Sequence, residues 1–380
     1  MRRRKMLSRM GIVFFLLFWL LFPMSVRAES LEEQADDYDY SGAQEVMDDA
    51  LEESAPTFSS MVNALVSGKI GETVKKVPVY LKNSLLSEIS INRKSLGHVL
   101  LIAAFGTIFS GLASSFQDKQ AGETGFYVTY LLLLSLLLTA FFEAAEVAKD
   151  TVTHVMEFMG ALLPAFTLAV AATGKTMTSV FSYEFIMGAV SIVEWLFQVL
   201  FLPGIQIYVV LSLVNHISKE EILTKMTELL ELVLSWGLKT VIGLVVGYGA
   251  IQSMVLPLAD SMKTGVVTKA LSAIPGIGGG AGAAASLITG TASLIKNGIG
   301  AAALIALLLI CSVPVLKLAV ITILYHGAAA MVQPVADERV TECLSGVASG
   351  TRLLLKVTTA SAGMFLLTIG ILCAFTSVQI

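Results

Sequence analysis

Long apolar runs, separated by short polar stretches, dominate the chain after residue 95. A transmembrane helix needs about 20 mostly apolar residues, and several segments meet that requirement. They are Leu96–Phe116, Phe126–Ala148, Met156–Thr173, Tyr183–Val214, Val233–Leu256, Ile299–Tyr325 and Thr358–Ser377. The pattern predicts an all-α, polytopic membrane protein with about seven transmembrane helices in a multi-pass domain over residues 96–380. The Tyr183–Val214 run is long enough for one tilted span or for two short spans that meet at Pro203-Gly204, so an even number stays open.

The first 28 residues have the layout of a secretory signal peptide. A basic start at Arg2–Lys5 precedes an apolar run over Ile12–Phe22, and the small residue Ala28 follows. This order of charge, apolar core and small residue predicts cleavage near residue 28, with an uncleaved signal anchor as the alternative. Both interpretations place the next segment outside the cytoplasm.

Residues 29–95 are predicted to form an extracytoplasmic region with acidic and amphipathic parts. Between Glu29 and Glu53 there are eleven Asp or Glu and no Lys or Arg, which is typical of a solvated, disordered segment. Apolar residues then return at helical spacing, from Phe58 to Val66 and again from Val77 to Leu86. These two stretches predict amphipathic helices.

Composition supports the membrane assignment. The chain is 55% hydrophobic and 14% charged, with a mean hydropathy of +0.79, values far from those of a soluble globular protein. No basic cluster with interleaved aromatics lies beyond the extreme N-terminus, so we do not expect nucleic acid as a partner. Cys311, Cys343 and Cys373 are far apart, and we expect buried hydrophobic side chains, not disulfides.

A stretch rich in glycine and alanine, Leu271–Ala303, lies between two strongly apolar segments. Proline and repeated glycines interrupt helices, and irregular backbone at membrane depth is tolerated only inside protein or beside water. Residues 271–300 are therefore predicted to be a broken, re-entrant or tightly packed element. The alternative is a cytoplasmic loop followed by an amphipathic helix over Ala284–Lys296. The candidates for pore lining or close packing are Pro275, Gly276, Gly278, Gly279, Gly280 and Gly282, together with the GxxxG pair Gly243 and Gly247.

Ionisable side chains at membrane depth are costly and are candidates for function. Those in the predicted spans are Glu143, Glu146, Glu194, Lys239 and Lys317. A pairing of Lys317 with Glu194 would suit a proton or ion pathway, while snorkelling to the interface or a structural ion pair is the simpler alternative. The pathway hypothesis fails if Lys317→Met and Glu194→Gln proteins accumulate normally and keep full biological activity.

Catalytic motifs are missing from the sequence. The four histidines are scattered and give no metal-ligand spacing, and the Gly-Lys-Thr at Gly174–Thr176 lacks the upstream glycine of a phosphate-binding loop. We therefore expect neither an enzyme nor a bound metal or cofactor.

Five segments, in this order, carry a resemblance to a known family. They are Leu162–Gly174, Leu238–Gln252, Ile274–Gly280, Ser293–Gly300 and Cys311–Leu344. Together they resemble the stage III sporulation protein AE family of endospore-forming bacteria, from about Leu96 to the C-terminus. The IPGIGGGAGAAAS cluster is richer in glycine and alanine than the family pattern.

The resemblance implies a multi-pass core subunit of the channel or secretion-like complex between mother cell and forespore during engulfment. It implies a location in the mother-cell membrane around the forespore and support of late forespore gene expression. The implied partners are the lipid bilayer, the other stage III A sporulation proteins and, indirectly, the forespore stage II protein Q. The family provides no catalytic residues to carry over.

Two other functions remain open from the residues alone. A secondary transporter would pair broken helices in two repeated halves, and no convincing repeat is present. A purely structural membrane scaffold would tolerate substitutions in the Gly-rich stretch that keep packing volume small, whereas a pore would be sensitive to added charge and bulk.

Overall fold

The computed structural model describes residues 32–51, 55–69, 119–174, 191–193, 195–216, 223–244, 278–334 and 336–377, with the isolated residues Gly97, Gly188 and Gly247. Every regular element in these ranges is helical, which confirms the all-α prediction for the described part of the chain. The predicted signal peptide, the first span at Leu96–Phe116 and the amphipathic helix at Val77–Leu86 lie outside the described residues.

Seven principal helices organise the described residues. Two are short, α1 (Ser41–Ala50) and α2 (Phe58–Val66), and three are very long, α3 (Lys119–Ala172), α6 (Gly278–Val332) and α7 (Glu338–Ser377). Between the long ones lie α4 (Leu202–Asn215) and α5 (residues 224–244). In the described ranges, four helices are long and apolar enough to cross a membrane: Tyr127–Ala172, Ser191–Asn215, Thr289–Val332 and Glu338–Gly370.

Helix α3 differs from the prediction of two separate spans at Phe126–Ala148 and Met156–Thr173. It is one helix of 54 residues that runs through both segments and contains Pro164. The residues between the predicted spans, from Lys149 to Val155, alternate exposed and buried positions at helical spacing and are amphipathic, not turn-forming. A polar stretch without Gly or Pro therefore continues the helix instead of ending it.

The chain reaches α4 through a single helical path, with no break at Pro203-Gly204. Residues Leu196–Phe201 form a wider π-helical turn, and Pro203 follows at the start of α4. Proline removes a backbone N–H and its ring crowds the carbonyl four residues earlier, so a local widening accommodates it. This geometry corresponds to the one-span alternative for the Tyr183–Val214 run.

Where the structure describes the Gly-rich stretch, the broken and re-entrant alternatives are wrong, whereas close packing is found at Gly298 and Gly300. From Gly278 onward the backbone is part of α6, a continuous helix that includes Pro314. Alanine has the highest helix propensity, and Ala281 and Ala283–Ala285 lie beside and directly after these glycines. Pro275 and Gly276 lie outside the described residues.

The long helices form an antiparallel bundle. Gly300 on α6 lies against Phe166 on α3 and Cys373 on α7, and Gly350 on α7 lies against Phe141 on α3. These contacts make α3 and α7 parallel to each other, and the approach of Tyr325 on α6 to Glu143 on α3 makes α6 antiparallel to both. Two hydrogen bonds fix the direction of α4. The Tyr130 hydroxyl donates to the Leu213 carbonyl at 3.0 Å, and the Gln198 amide donates to Thr153 at 3.3 Å. Helix α4 is therefore antiparallel to α3 and parallel to α6.

Helices α1 and α2 dock together on the outside of this bundle. The ring of Phe58 packs against Tyr40 of the segment before α1 and edge-on against Phe158 of α3, with centroids 5.3 and 5.9 Å away. Burial raises the pKa of Tyr40, whose hydroxyl donates to the Ala35 carbonyl at 2.8 Å. The Phe58–Val66 helix is confirmed, with Phe58, Met61, Val62 and Val66 buried.

The acidic segment at the N-terminus is more ordered than its composition predicted. Residues 32–51 include α1, with Ala43 and Met47 buried. The hydroxyl and the N–H of Ser41 donate to Asp39 at 2.6 and 2.9 Å, and these bonds lower the pKa of Asp39. The prediction of disorder failed here because Tyr40, Ala43 and Met47, three and four residues apart, give an otherwise charged helix one apolar face.

Close helix approach occurs at four glycines of α6 and α7. Besides Gly300, a Cβ atom at Gly298 would meet Val66, one at Gly346 would meet Ser212, and one at Gly350 would overlap Val209. Gly346 and Gly350 form a GxxxG pair against which α4 packs. At the predicted pair, Gly243 and Gly247, no described atom lies within 4 Å of the position that a Cβ atom would take.

Substitution of Gly350 by alanine should weaken the bundle. The added methyl group would displace Val209 and press on Phe141, and such overpacking costs about 1–3 kcal/mol, more than the propensity that alanine gains in a helix. Thermal unfolding of the detergent-solubilised protein measures the effect. Gly363→Ala on the same helix is the control, because no described atom lies within 4 Å of its Cβ position. Equal melting temperatures for the two variants would contradict the packing role of Gly350.

Candidate functional site

Charged side chains cluster at mid-height of the bundle. On α3, Glu143, Glu146, Asp150 and Glu157 lie on one face at intervals of three, four and seven residues, and all are exposed. We call this cluster, with the other charges at its level, the charged waist. Its members are Glu143, Glu146, Lys149, Asp150 and Glu157 on α3, Lys317 on α6, and Arg352 and Lys356 on α7.

Helix register places these residues in one zone of the bundle, which is about 21 Å high from Glu143 to Glu157. Tyr325 on α6 is close enough to Glu143 for the two to interact electrostatically, and Gly300 lies against Phe166. Lys317 is eight residues before Tyr325, about 12 Å along the axis, which is level with Asp150. On α7, Gly350 contacts Phe141, so Arg352 and Lys356 are level with the first turns of the waist.

Three of the charges predicted at membrane depth, Glu143, Glu146 and Lys317, belong to the waist, and Glu143 lies about 12 Å along the axis from the level of Lys317. Glu143 and Glu146 are exposed on α3, and Lys317 is half-buried and takes part in a polar interaction. Lys239 is exposed on α5. Glu194 lies outside the described residues, so its pairing with Lys317 stays a prediction.

An ion pair joins α5 to α7 beside the waist. The Arg352 guanidinium donates to Glu231 at 3.2 Å, and the hydroxyl of Tyr208 on α4 donates to the other oxygen of the same carboxylate at 3.3 Å. Three helices thus meet at one carboxylate. The pair was not predicted, because both residues lie outside the predicted spans, Glu231 before Val233–Leu256 and Arg352 before Thr358–Ser377. The signal that could have found it is the apolar run Glu338–Gly370, which includes Arg352.

Lys296 is fully buried on α6. The alternative that ended an amphipathic helix at this residue is wrong, because α6 continues through it. Its ammonium group is close enough to the thiol of Cys373 to interact electrostatically, and Gly298 and Gly300 follow it in the sequence. A lysine is almost never fully buried without groups that hold its charge, so Lys296 is a second polar site inside the bundle.

The described residues contain no group of three or more His, Cys, Asp or Glu that could hold a metal ion. Cys311 and Cys343 are buried free thiols, and Cys373 is half-buried. His154 on α3 contacts Asp49 of α1 at 3.0 Å, which ties α1 to the bundle. The polar contacts described at this site are ion pairs and hydrogen bonds between helices.

The family of stage III sporulation protein AE matches residues 56–376, which include α2 to α6 and nearly all of α7. The chain belongs to the stage III sporulation protein AE family. A relative of that name from Bacillus subtilis (strain 168) is 23% identical over 290 residues, covering 76% of this chain and 72% of the relative. No solved structure matches the chain. Membership of the stage III sporulation protein AE family implies a role in sporulation, and the long apolar helices indicate a membrane protein.

Breaking the pair between Glu231 and Arg352 should loosen the contact of α5 with α7. Both side chains are partly exposed, so we expect a modest loss of thermal stability for Arg352→Met and a smaller one for the exposed neighbour Lys356→Met. A charge exchange, Glu231→Arg with Arg352→Glu, should recover part of the loss. No recovery, together with equal effects of the two methionine variants, would argue against the pair.

Replacing Lys296 by methionine keeps its length and removes its charge. The groups that hold the ammonium would then stay buried without their partner, which costs about 1–3 kcal/mol. We expect a lower melting temperature in detergent than for the parent. Lys296→Arg should also be destabilising, since a larger planar guanidinium would have to take a fully buried position that holds an ammonium group. An unchanged melting temperature for Lys296→Met would show that the charge contributes nothing.

Proposed function

We propose that this protein is a non-enzymatic core subunit of the channel or secretion-like complex between mother cell and forespore. The observation that carries the proposal is the family match over residues 56–376, which extends across almost the whole helical bundle. In this proposal the protein resides in the mother-cell membrane around the engulfed forespore. Its action is needed for late forespore gene expression and so for spore formation.

The proposed partners are the other stage III A sporulation proteins and, through them, the forespore stage II protein Q. The length of the helices supports a place in such an assembly. Helices of 54 and 55 residues extend about 80 Å, more than twice the thickness of a bilayer hydrocarbon core. A subunit of this length suits a complex that continues beyond one membrane.

The packing of the bundle favours a structural role within that complex over a conduit through a single copy. Side chains of neighbouring elements fill the space at Gly298, Gly300, Gly346 and Gly350. Small residues at these positions let helices approach closely. The path that the complex would provide is then formed between subunits, with this bundle as part of its wall.

Removal of the gene from the sporulating host tests the proposal. We expect cells that complete engulfment and express an early forespore reporter, but lose expression of a late forespore reporter and form no heat-resistant spores. The full-length gene supplied in the mother cell alone should restore both. The same gene supplied only in the forespore is the matched control. Restoration from the forespore alone, or normal late expression in the deletion strain, would contradict the proposal.

A further inference from the structure

The apolar part of the bundle is too long for one bilayer. The run Tyr127–Ala172 of α3 has 46 residues, or about 70 Å of helix, against about 30 Å of hydrocarbon and 40–45 Å with headgroups. The charged waist divides this run into two. The lower level is residues 127–142 of α3 with the helices beside them, and the upper level is residues 158–172 of α3 with the helices beside them. One level must lie outside the lipid.

Both tryptophans of the described residues lie at the height of the waist. Trp236 is five residues after Glu231, which pairs with Arg352, and Trp195 is three residues before Gln198, which bonds to Thr153. They project outward, with 70% and 60% of their surfaces exposed. Tryptophan is enriched where a membrane meets water, because its ring is apolar and its N–H needs a polar partner.

The lower level presents apolar side chains on three helices. Leu131 and Leu132 are exposed on α3, Ile207 on α4, and Met226 and Leu229 on α5. Exposed residues of this kind, around a bundle whose interior is already packed, suit contact with lipid chains. Exposed leucines occur on the upper level as well, at Leu168 and Leu367, so the charge of the upper level is what distinguishes the two.

The upper level carries α1 and α2, whose outer surface is acidic. Phe58 of α2 packs on Phe158, and Val66 of α2 lies against Gly298. A Cβ atom added to Gly42 of α1 would lie 3.1 Å from the Cβ of Ala161, so α1 is close to α3 there. Seven carboxylates on this side are exposed: Glu33, Asp36, Asp37, Asp39, Glu45, Asp48 and Asp49. Charges of this number cannot lie in hydrocarbon, where each costs several kcal/mol.

We propose that the membrane–water interface crosses the charged waist, which is about 21 Å high and carries Trp195 and Trp236, and that the upper level stands outside the bilayer in water. The lower level is the membrane anchor. The upper level is a stem of about 22 Å, from 15 residues of α3, to which α1 and α2 are fixed. This placement concerns the chain alone and does not depend on the proposed complex.

Nitroxide accessibility in nanodiscs tests the placement on the full-length protein. Labels are attached to single added cysteines at exposed sites in a Cys373→Ser background, with buried Cys311 and Cys343 left in place and the unsubstituted background as blank. Leu168→Cys and Leu367→Cys report on the upper level, and Leu132→Cys and Leu229→Cys on the lower level. Asp37→Cys on the acidic surface is the reference for water.

Collision with a water-soluble nickel complex should be several-fold higher at Leu168 and Leu367 than at Leu132 and Leu229, and close to that at Asp37. At Leu132 and Leu229, collision with oxygen should be more frequent than collision with the nickel complex. Prevailing oxygen collision at Leu168 and Leu367 would place the upper level in lipid and overturn the proposal. Low values for both probes there would show a stem covered by protein, and would overturn it as well.

Tryptophan quenching gives a second measurement without any substitution at the waist. Lipids brominated near the headgroup should quench Trp195 and Trp236 more strongly than lipids brominated at the chain ends, in a Trp19→Phe protein so that the N-terminal tryptophan does not contribute. Stronger quenching by the deep bromines would put the waist at the centre of the bilayer and overturn the proposal.

Discussion

Close contact between helix backbones is the constraint on which this structure depends. Lipid chains are as apolar as leucine, so helices in a membrane gain little by hiding apolar side chains from their surroundings. They associate when their surfaces fit closely. Gly298 and Gly300 let α6 approach α2, α3 and α7, while Gly346 and Gly350 let α7 approach α4. The order of the bundle follows from where these small residues stand.

Polar contacts then fix the register that close packing permits. Most buried threonines bond to a carbonyl of their own helix, such as Thr322 to Leu318 and Thr358 to Leu354, and so bind no neighbour. Contacts across helices, including Tyr130 with Leu213, Gln198 with Thr153 and Arg352 with Glu231, select one vertical alignment. A shift of either partner by one turn would separate the atoms by about 5 Å.

The sequence predicted the helical class, the membrane assignment and the family, because apolar composition and segment order are local properties of the chain. It failed where a helix continues through polar residues. The stretch from Lys149 to Val155 is polar enough to separate two predicted spans, yet it has no Gly or Pro to end a helix, and its buried positions are set by contacts with other helices. Lys296 and Arg352 were missed for the same reason, since an apolar run that contains a charge looks like the end of a span until its neighbours are known.

Helix α7 follows the other described helices in chain order, and it contacts α3, α4 and α6 directly and α5 through Arg352. The earlier helices can enter the membrane and remain beside one another as translation proceeds, but the space that α7 fills stays open until α7 itself has been made. Closure of the described bundle is therefore a late step of its biogenesis. A truncation before α7 would leave α3, α4 and α6 inserted without the helix that packs against all three.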